Sequence, residues 1–342
     1  ANPRPPPLRK HWRAQPRKAE FYLARRIDEI RNAEIFGNRP DRSFRRAATK
    51  FLLENQHKRS IGDDAMHFKM LDPFIGELSL RAVHRGSLQS FVDWRKKQGV
   101  KTNTINLALK AVRRVLNLAS SEWLDENGLT WLERAPKITM LKVTDARKPY
   151  PLSFEEQDRL FKELSAHLAR MALFKVNTGC REQEVCGLRW HWEFDVPEMK
   201  TSLFLVPGDL VKNGEPRLIV LNRIAKSVIE EVRGEHPEFV FTHRGKPVLK
   251  MNNSGWKSAR VRVGLKQVRV HDLKHTFGRR LRAANASFTD RQDLLGHKST
   301  RITDHYSAAE LENLVAAANS VCGNNSRKTP ALVLLREQKL SA

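Results

Sequence analysis

Apolar residues recur at helical spacing through the first part of the chain and are broken repeatedly by polar turns. In the longest such segment, "NTINLALKAVRRVLNLASSEW", a stripe repeats every three or four residues: Ile105, Ala108, Leu109, Val112 and Leu116. Three shorter segments show the same period: "SFRRAATKFLLENQ", "DDAMHFKMLDPFIG" and "SLQSFVDWRKKQG". Together they predict a helical domain over residues 41–135.

The second part of the chain begins after a segment without periodicity. "APKITMLKVTDARKPYPLS" carries many charges and three prolines, which predicts a linker over residues 136–152. Ser153 followed by Glu156 has the spacing of a capping box, so a helix is expected to open the next domain, residues 153–321. Within it, the β-prone runs "SLFLV" and "RLIVL" flank a turn at Asn213-Gly214, which predicts a hairpin. The expected fold class is mainly α with a small β-sheet (α+β).

The two ends of the chain differ from these domains. Residues 1–40 combine a proline-rich basic arm with a helix that begins near Glu20 and ends before Gly37. Residues 322–342 form a tail in which the apolar run "ALVLLRE" follows the loop "CGNNSRKTP". Such a run must bury its apolar face on its own domain or on a neighbouring subunit.

The charge of the chain narrows the class of partner. Lys and Arg number 62 against 38 Asp and Glu, a formal net charge of +24 over 342 residues. So large an excess of one sign indicates a polyanionic partner, most often nucleic acid, with an anionic membrane surface as the alternative. No run of about 18 apolar residues predicts a membrane span, and "ANPRPPPLRKHWRAQPRK" lacks the apolar core of a secretory signal. The expected location is the cytoplasm, at the nucleoid if the source is bacterial.

The cysteines indicate a reducing compartment. Cys180, Cys186 and Cys322 are few, odd in number and not paired as CxxC. Their spacing does not suit a metal site. No metal and no cofactor is predicted.

A basic, amide-rich face accompanies the apolar stripe of the longest predicted helix. Asn103, Asn106, Lys110 and Arg113 follow one another at helical spacing and are continued by Asn117. Taken alone, this face is equally well explained as solvated surface. Together with the net charge, its composition favours contacts with DNA phosphates.

Two segments of the second domain carry candidate anion-binding groups. In "NTGCREQEVCGLRW", Gly179 makes a turn and Arg181 falls in the first turn of a new helix, where a guanidinium beside backbone N–H groups favours an anion. Glu184 can reach Arg181 or cap the turn, although an ordinary surface i,i+3 pair explains the spacing as well. Lys212 lies at the hairpin tip, where a lysine is ordinarily just solvated.

The segment "HDLKHT" admits three interpretations. Leu273 lies on one side of a predicted helix, and His271, Lys274 and His275 lie on the other. Two histidines four apart are typical of a zinc site, but Asp272 is shorter than the glutamate of that motif and Lys274 would place a cation beside the metal. A cationic face that holds a phosphate fits these residue types better. A plain helix is the third alternative.

The last segment with candidate chemistry is "DLLGHKSTRITDHYSAAEL". Thr289 and Gln292 are expected to cap a short helix, and His297 follows that helix directly. Tyr306 lies nine residues after His297 in a polar stretch. A partly buried packing tyrosine is the alternative to a functional one.

In order and spacing, these segments resemble the catalytic domain of the tyrosine recombinases, the phage integrase family. "TGCREQEVCGLRW", "VKNG", "HDLKHTF" and "LLGHKSTRITDHY" follow one another as in that family, over about residues 150–320. The helical region before them resembles the family's core-binding domain more weakly. The resemblance implies site-specific recombination or integration of double-stranded DNA by strand cleavage and rejoining. It also implies a homotetramer on synapsed sites, with DNA-bending accessory proteins as further partners.

The resemblance assigns a role to each matching residue. The positions that match the family's catalytic residues are Tyr306, Arg181, Lys212, His271, Lys274 and His297. Tyr306 would attack the scissile phosphate and form a 3′-phosphotyrosine link, and Lys212 would protonate the leaving 5′-oxygen. The remaining four would hold the phosphate oxygens, with Glu184 orienting the helix of Arg181. His275 would either orient the site as well or simply pack. Because the link retains the bond energy, neither ATP nor a metal is required.

Position 274 departs from the family, which has a second arginine there. Lysine keeps the charge but loses the planar, bidentate grip. A working enzyme is favoured over a weakened one, because the other catalytic positions match. The alternatives to recombination are DNA relaxation by a type IB topoisomerase-like activity and a non-catalytic DNA-binding protein of recombinase descent. The tail from Ala331 to Arg336 is expected to dock onto a neighbouring protomer, as the family's cyclic exchange of C-terminal segments implies.

Overall fold

The computed structural model describes residues 20–28, 31, 39–211, 214–297 and 308–322. Two compact units divide the chain between Arg147 and Lys148, and each is described by itself. Lys212, Tyr306 and the tail from Ala331 to Arg336 lie outside the described residues. The domain boundaries drawn from the sequence stay predictions.

The first unit is helical, as its periodicity predicts. Its helices are α1 (Phe44–Glu54), α2 (Ile61–Ile75), α3 (Gln89–Lys97) and α4 (Thr102–Ser121), with a short 3-10 helix at Leu80–Ala82. The whole predicted stripe of α4 is buried: Ile105, Ala108, Leu109, Val112 and Leu116. Residues 20–28 are helical too. The four helices predicted between residues 41 and 135 are therefore confirmed.

Aromatic side chains join the helices of the first unit. Phe68 of α2 meets Phe44 and Phe51 of α1 edge to face, with ring centroids 6.0 and 5.6 Å apart. After α4, the indoles of Trp123 and Trp131 lie 5.2 Å apart. The phenylalanine contacts pack α1 against α2, and the tryptophan pair packs directly after the end of α4.

The predicted linker has no helix or strand, but its first part is bound to α4. The Asn106 side chain donates to the Leu141 carbonyl (2.9 Å) and accepts from the Leu141 N–H (2.8 Å). The Asp145 carboxylate accepts from the Thr102 N–H at 2.8 Å. These three bonds satisfy backbone groups that lack a partner within a helix or sheet.

One member of the predicted DNA face has a different role. Asn106 is only 4% exposed, and Leu141 occupies both its amide oxygen and its amide nitrogen. The amide thus holds an extended segment and presents little of its surface to a phosphate. Contact of Asn106 with DNA stays a prediction.

The second unit combines eight described helices with two small sheets. The helices are α5 (Phe154–Lys162), α6 (Ala166–Thr178), α7 (Glu182–Cys186), α8 (Arg223–Val232), α9 (Ser254–Arg262), α10 (Val270–Ala283), α11 (Phe288–Leu295) and α12 (Ala308–Ser320). The strands β1 (Glu193–Val196), β2 (Thr201–Val206) and β3 (Arg217–Val220) form an antiparallel sheet in that order. The second sheet pairs β4 (Thr242–His243) with β5 (Lys246–Pro247). The mainly α fold with a small β-sheet is confirmed.

The β2–β3 pair confirms the predicted hairpin, but its connection is longer than Asn213-Gly214 suggests. Val206 pairs with Arg217 in the register, so residues 207–216 join the strands. A 3-10 helix at Gly208–Leu210 fills part of this connection. A Cβ on Gly208 would lie 2.6 Å from the Gly214 carbonyl oxygen, so the backbone needs glycine for this close approach.

Two helix starts were predicted from capping residues, one correctly. At α5, the Glu156 N–H donates to Ser153 Oγ (3.1 Å) and the Ser153 N–H donates to Glu156 Oε2 (2.8 Å), which is the predicted capping box. At α11, the prediction of Thr289 as the cap is wrong. The helix begins at Phe288, and Ser287 Oγ accepts from the Asp290 N–H at 3.0 Å.

Helix α6 positions the site. It packs against α8 and α10, and its last residues are buried. The helix ends at Gly179, whose φ of +64° suits a glycine. A Cβ on Gly179 would also lie 2.6 Å from the ring of Phe277, so α10 approaches this turn closely. The chain therefore enters α7 directly beside α10.

Among the described helices, none has the length and apolar character needed to cross a membrane.

Candidate active site

Arg181 stands at the start of α7 and is held by the carboxylate of Glu184. The Arg181 N–H donates to Glu184 Oε2 (2.7 Å), and its Nη1 donates to Glu184 Oε1 (2.8 Å). The guanidinium also donates from Nη2 to the Gly296 carbonyl at 3.0 Å. About a fifth of the side chain, 21%, is exposed. Arg181 is thus fixed on its protein side and open to a ligand on the other.

Glu184 is shared between two guanidinium groups. It is buried, and its Oε2 lies 3.0 Å from Nε of Arg217, the first residue of β3. Burial alone would raise the pKa of Glu184, but the charge of Arg217 and the hydrogen bonds from Arg181 outweigh it and lower the pKa. Glu184 is therefore a carboxylate at neutral pH and fixes both arginines.

Lys274 points into the protein. It lies on α10 and is 5% exposed. Its Nζ donates to the carbonyl oxygen of Gly179 at 2.8 Å and to that of Leu295. Burial, followed by the charge of Arg217, lowers the pKa of Lys274 to about 7, although Glu184 opposes the shift. An anion that approached the site would favour the charged lysine.

The two histidines of "HDLKHT" lie together on α10. The rings of His271 and His275 are 4.8 Å apart in an edge-to-face arrangement. Burial, and then the neighbours His275, Lys175 and Lys274, lower the pKa of His271 to about 4. His271 is consequently neutral at pH 7, and a neutral imidazole still has one N–H to donate.

His297 follows α11 and is exposed. Burial of part of the ring lowers its pKa, and the charges of Lys274, Arg181 and Arg217 lower it further. These interactions show that His297 shares one electrostatic environment with the cations of α7, β3 and α10. It too is a neutral donor at pH 7.

Asp272 has a structural position. It is 1% exposed. Its Oδ2 accepts from the Arg269 N–H (2.8 Å) at the start of α10, and its Oδ1 accepts from the Tyr150 N–H (3.1 Å). Thr276 binds the same extended segment, because its hydroxyl oxygen accepts from the Leu152 N–H at 2.9 Å. The acid of the zinc-like pattern therefore anchors backbone, and the described residues contain no group of three His, Cys, Asp or Glu suited to a metal.

Three cations bind three consecutive carbonyl oxygens at the end of α11. Arg217 Nη2 donates to Leu294 (3.1 Å), Lys274 Nζ to Leu295 and Arg181 Nη2 to Gly296 (3.0 Å). The C-terminal end of a helix carries a partial negative charge, so cations are favoured there. We call Arg181, Arg217 and Lys274 the cation cluster. It fixes the backbone directly before His297.

Gly296 allows the cluster to close on the backbone. Its φ of +56° is left-handed. A Cβ at this position would lie 1.3 Å from Arg217 Nη1, so any other residue would have to displace the buried guanidinium. The guanidinium of Arg217 therefore lies directly against the Gly296 backbone.

Two buried cations beside this site were not predicted from the sequence as site residues. Arg217 is 4% exposed, and Lys175 of α6 is fully buried with its Nζ donating to the Cys180 carbonyl. In "RLIVL" the two-residue period of a strand places Arg217 on the same face as buried Ile219. The position of a charged residue on the buried face of a predicted strand could therefore have identified Arg217.

The predicted DNA face of the first unit is partly exposed. Asn103, Lys110 and Arg113 lie on the surface of α4. Arg113 and Asn117 also line a groove of about 480 Å³ whose other wall is formed by residues 135–140. Contacts of Asn103, Lys110 and Arg113 with DNA stay a prediction.

The comparisons with known proteins agree on one family. The model of the phage integrase family matches residues 151–313. The integrase of Salmonella phage P22 is 24% identical over 324 residues, which cover 83% of this chain and 81% of the relative. Tyrosine recombinase XerC of Xylella fastidiosa (strain M23) is 25% identical over 249 residues, 68% of this chain and 79% of the relative.

Solved structures of similar fold come from integrases. The Tn1549 transposon integrase in complex with transposon right end DNA matches with a TM-score of 0.59 and 14% identity, over 88% of this chain and 100% of that one. A lambda integrase tetramer bound to a Holliday junction matches with a TM-score of 0.57 and 15% identity, over 81% of this chain and 83% of that one.

Proposed function

Because the chain belongs to the phage integrase family of tyrosine recombinases, we propose that Arg181, Lys274, His271 and His297 hold the scissile phosphate of a DNA strand. The protein is an enzyme of site-specific DNA recombination. One observation carries the assignment. The cation cluster joins the start of α7, the start of β3 and the buried side of α10 at the end of α11, directly before His297.

The chemistry of the site suits the transition state of phosphoryl transfer. Negative charge develops on the non-bridging oxygens as a nucleophile attacks phosphorus, and fixed cations in a water-poor site stabilise it most. Arg181 offers the open side of its guanidinium, while neutral His271 and His297 offer N–H donors. The phosphate would therefore approach the exposed side of the Arg181 guanidinium.

Tyr306 and Lys212 complete the proposal from the family resemblance. Tyr306 would attack phosphorus, so that the tyrosine oxygen forms a bond to the 3′-phosphate as the bond to the 5′-oxygen breaks. Lys212 would give a proton to that leaving 5′-oxygen. Glu184 orients Arg181 through its two hydrogen bonds. His275 orients His271 through its ring contact.

The partner is double-stranded DNA at specific sites, and the proposed assembly is a homotetramer on two synapsed sites. A solved relative of similar fold, lambda integrase, is a tetramer bound to a Holliday junction. The net charge of +24 favours extensive contact with phosphates. We place the protein at DNA in the cytoplasm, with DNA-bending proteins as accessory partners.

A nicked duplex that traps the covalent intermediate tests the function. Its sequence is the attachment site found by sequencing the DNA that flanks the gene. The wild-type chain should form a protein–DNA band that survives denaturing electrophoresis, whereas Tyr306→Phe should form none. Tyr22→Phe is the matched control and should behave as wild type. A wild-type chain that binds the duplex but forms no such band would refute the proposal.

A further inference from the structure

We propose that Arg217 is a positioning residue for strand cleavage, which holds Glu184 and the end of α11 so that Arg181 and His297 face the same phosphate. This inference rests on the proposed function of the site. The β2–β3 pair is therefore linked to the phosphate site through Arg217, the first residue of β3.

The contacts of Arg217 reach both sides of the site. On one side its Nε lies 3.0 Å from Oε2 of Glu184, whose other oxygen binds the Arg181 guanidinium. On the other side its Nη2 donates to the Leu294 carbonyl at 3.1 Å. Arg181 also contacts both Glu184 and the Gly296 carbonyl, but its side chain is 21% exposed, whereas that of Arg217 is 3% exposed. Arg217 can thus transmit the position of one side to the other.

The burial of Arg217 is difficult to explain by folding alone. Its side chain is 3% exposed, and its Nη1 has no hydrogen-bond partner among the described residues. A buried charge is stabilising only when its partners are well satisfied, and an apolar side chain of similar volume often serves the fold equally well. Lys175 and Lys274 lie in the same region, so the carboxylate of Glu184 faces several cations, with Glu182 acting on Lys175 as well. Such an excess suits a site completed by an anion.

The shape of the Arg217 side chain matters as much as its charge. A planar guanidinium presents donors in several directions, and here two of its edges serve Glu184 and Leu294 while a third lies against Gly296. A lysine at this position retains the charge but offers a single donor atom. Its three N–H groups leave one atom, so they cannot reproduce the planar spread of the guanidinium between Glu184 and Leu294.

Single-turnover cleavage of the nicked duplex tests the inference in the full-length chain. Arg217→Met should lower the cleavage rate by about 10²-fold, because small misplacements of catalytic groups have losses of that order. Arg217→Lys should lower it by about tenfold. The Kd for the duplex should change less than threefold for both, since Arg217 is not exposed to DNA. Arg233→Met removes a surface guanidinium paired with Glu193 and Glu230 and serves as the matched control.

A double-mutant cycle separates positioning from a merely structural role. Glu184→Gln removes the charge of the side chain but keeps its shape. The cleavage rate of the double variant Glu184→Gln/Arg217→Met should be close to that of the slower single variant, because the two residues act as one unit. Near-additive losses, a rate within twofold of wild type for Arg217→Met, or a loss matched by the unfolded fraction in circular dichroism would each overturn the inference.

A substrate with a neutral scissile phosphate tests direct contact. A methylphosphonate at the scissile position removes one charged oxygen. On this substrate the loss caused by Arg217→Met should shrink to the same extent as that caused by Glu184→Gln, because both variants act through Arg181, whereas an Arg217 that touched the phosphate would lose more of its effect than Glu184→Gln does. If the wild-type chain forms no covalent band at all, the proposed function fails rather than this inference.

Discussion

Helices α4 and α10 both carry basic residues beside an apolar stripe, but these residues are exposed on α4, whereas Lys274 of α10 is buried. On α4, Lys110 and Arg113 are exposed on the surface of the first unit. On α10, Lys274 is buried and bonded to two carbonyl oxygens. Exposed cations are screened by salt and contribute mainly to affinity. Buried cations are held in place and contribute to the stabilisation of a developing charge.

The largest expected effect comes from removing the open guanidinium of the buried cluster. Arg181→Ala should lower single-turnover cleavage by about 10²–10³-fold, the loss found when one donor to a developing oxyanion is removed. The salt dependence of DNA binding should stay close to that of wild type. A rate within fivefold of wild type would show that the cation cluster doesn't contact the phosphate.

Lys274→Arg addresses the departure from the family directly. The Lys274 ammonium fits between the carbonyls of Gly179 and Leu295, with Arg217 nearby. A larger guanidinium would overpack this space. We expect cleavage to fall about tenfold, measured on the nicked duplex. A clear gain in rate would instead identify the native lysine as a weakening substitution.

The exposed face of α4 should respond in affinity rather than in rate. Lys110→Ala and Arg113→Ala should each weaken DNA binding a few-fold and reduce the slope of log K against log salt by about 0.9 per lost phosphate contact. The cleavage rate of saturated complex should not change. Lys162→Ala, an exposed lysine at the end of α5, is a control. Equal slopes for all three variants would remove α4 from the DNA interface.

The buried lysine should also leave a small pH signature on stability. The pKa of Lys274 is lowered from its model-peptide value of 10.5 to about 7 in the folded chain. Between these values the unfolded chain binds more protons, so stability rises with pH across this window. Lys274→Met lacks this contribution. The Tm of wild type should therefore rise relative to that of Lys274→Met between pH 7 and 8, by about 2–4 °C for roughly 1 kcal/mol.

That Tm difference is measured between two otherwise identical chains, so other titrating groups cancel to first order. Lys175, whose pKa burial lowers to about 8, contributes equally to both. A Tm difference independent of pH would mean that Lys274 keeps its usual pKa in the folded chain.

Much of the fold was predictable because its signals are local. The α4 stripe, the Ser153–Glu156 capping box and the β2–β3 pair all depend on residues close in sequence. The failure at α11 was local as well, since Ser287 and Thr289 are both capping residues and only the first residue of the helix decides between them. Arg181 and Glu184 were predicted as a pair because three residues separate them.

Sequence by itself determined the order of the catalytic motifs, the family whose catalytic domain they resemble and the expectation of a polyanionic partner, because motif spacing and net charge need no coordinates. Tertiary structure decided which polar residues face solvent. Asn106 turned inward because Leu141 needs its amide, and Lys274 and Arg217 turned inward because the end of α11 presents them with carbonyl oxygens. Those partners lie 35 residues away along the chain from Asn106, 21 from Lys274 and 77 from Arg217. No periodicity reports contacts at such separations, because they exist only after the helices and strands have packed.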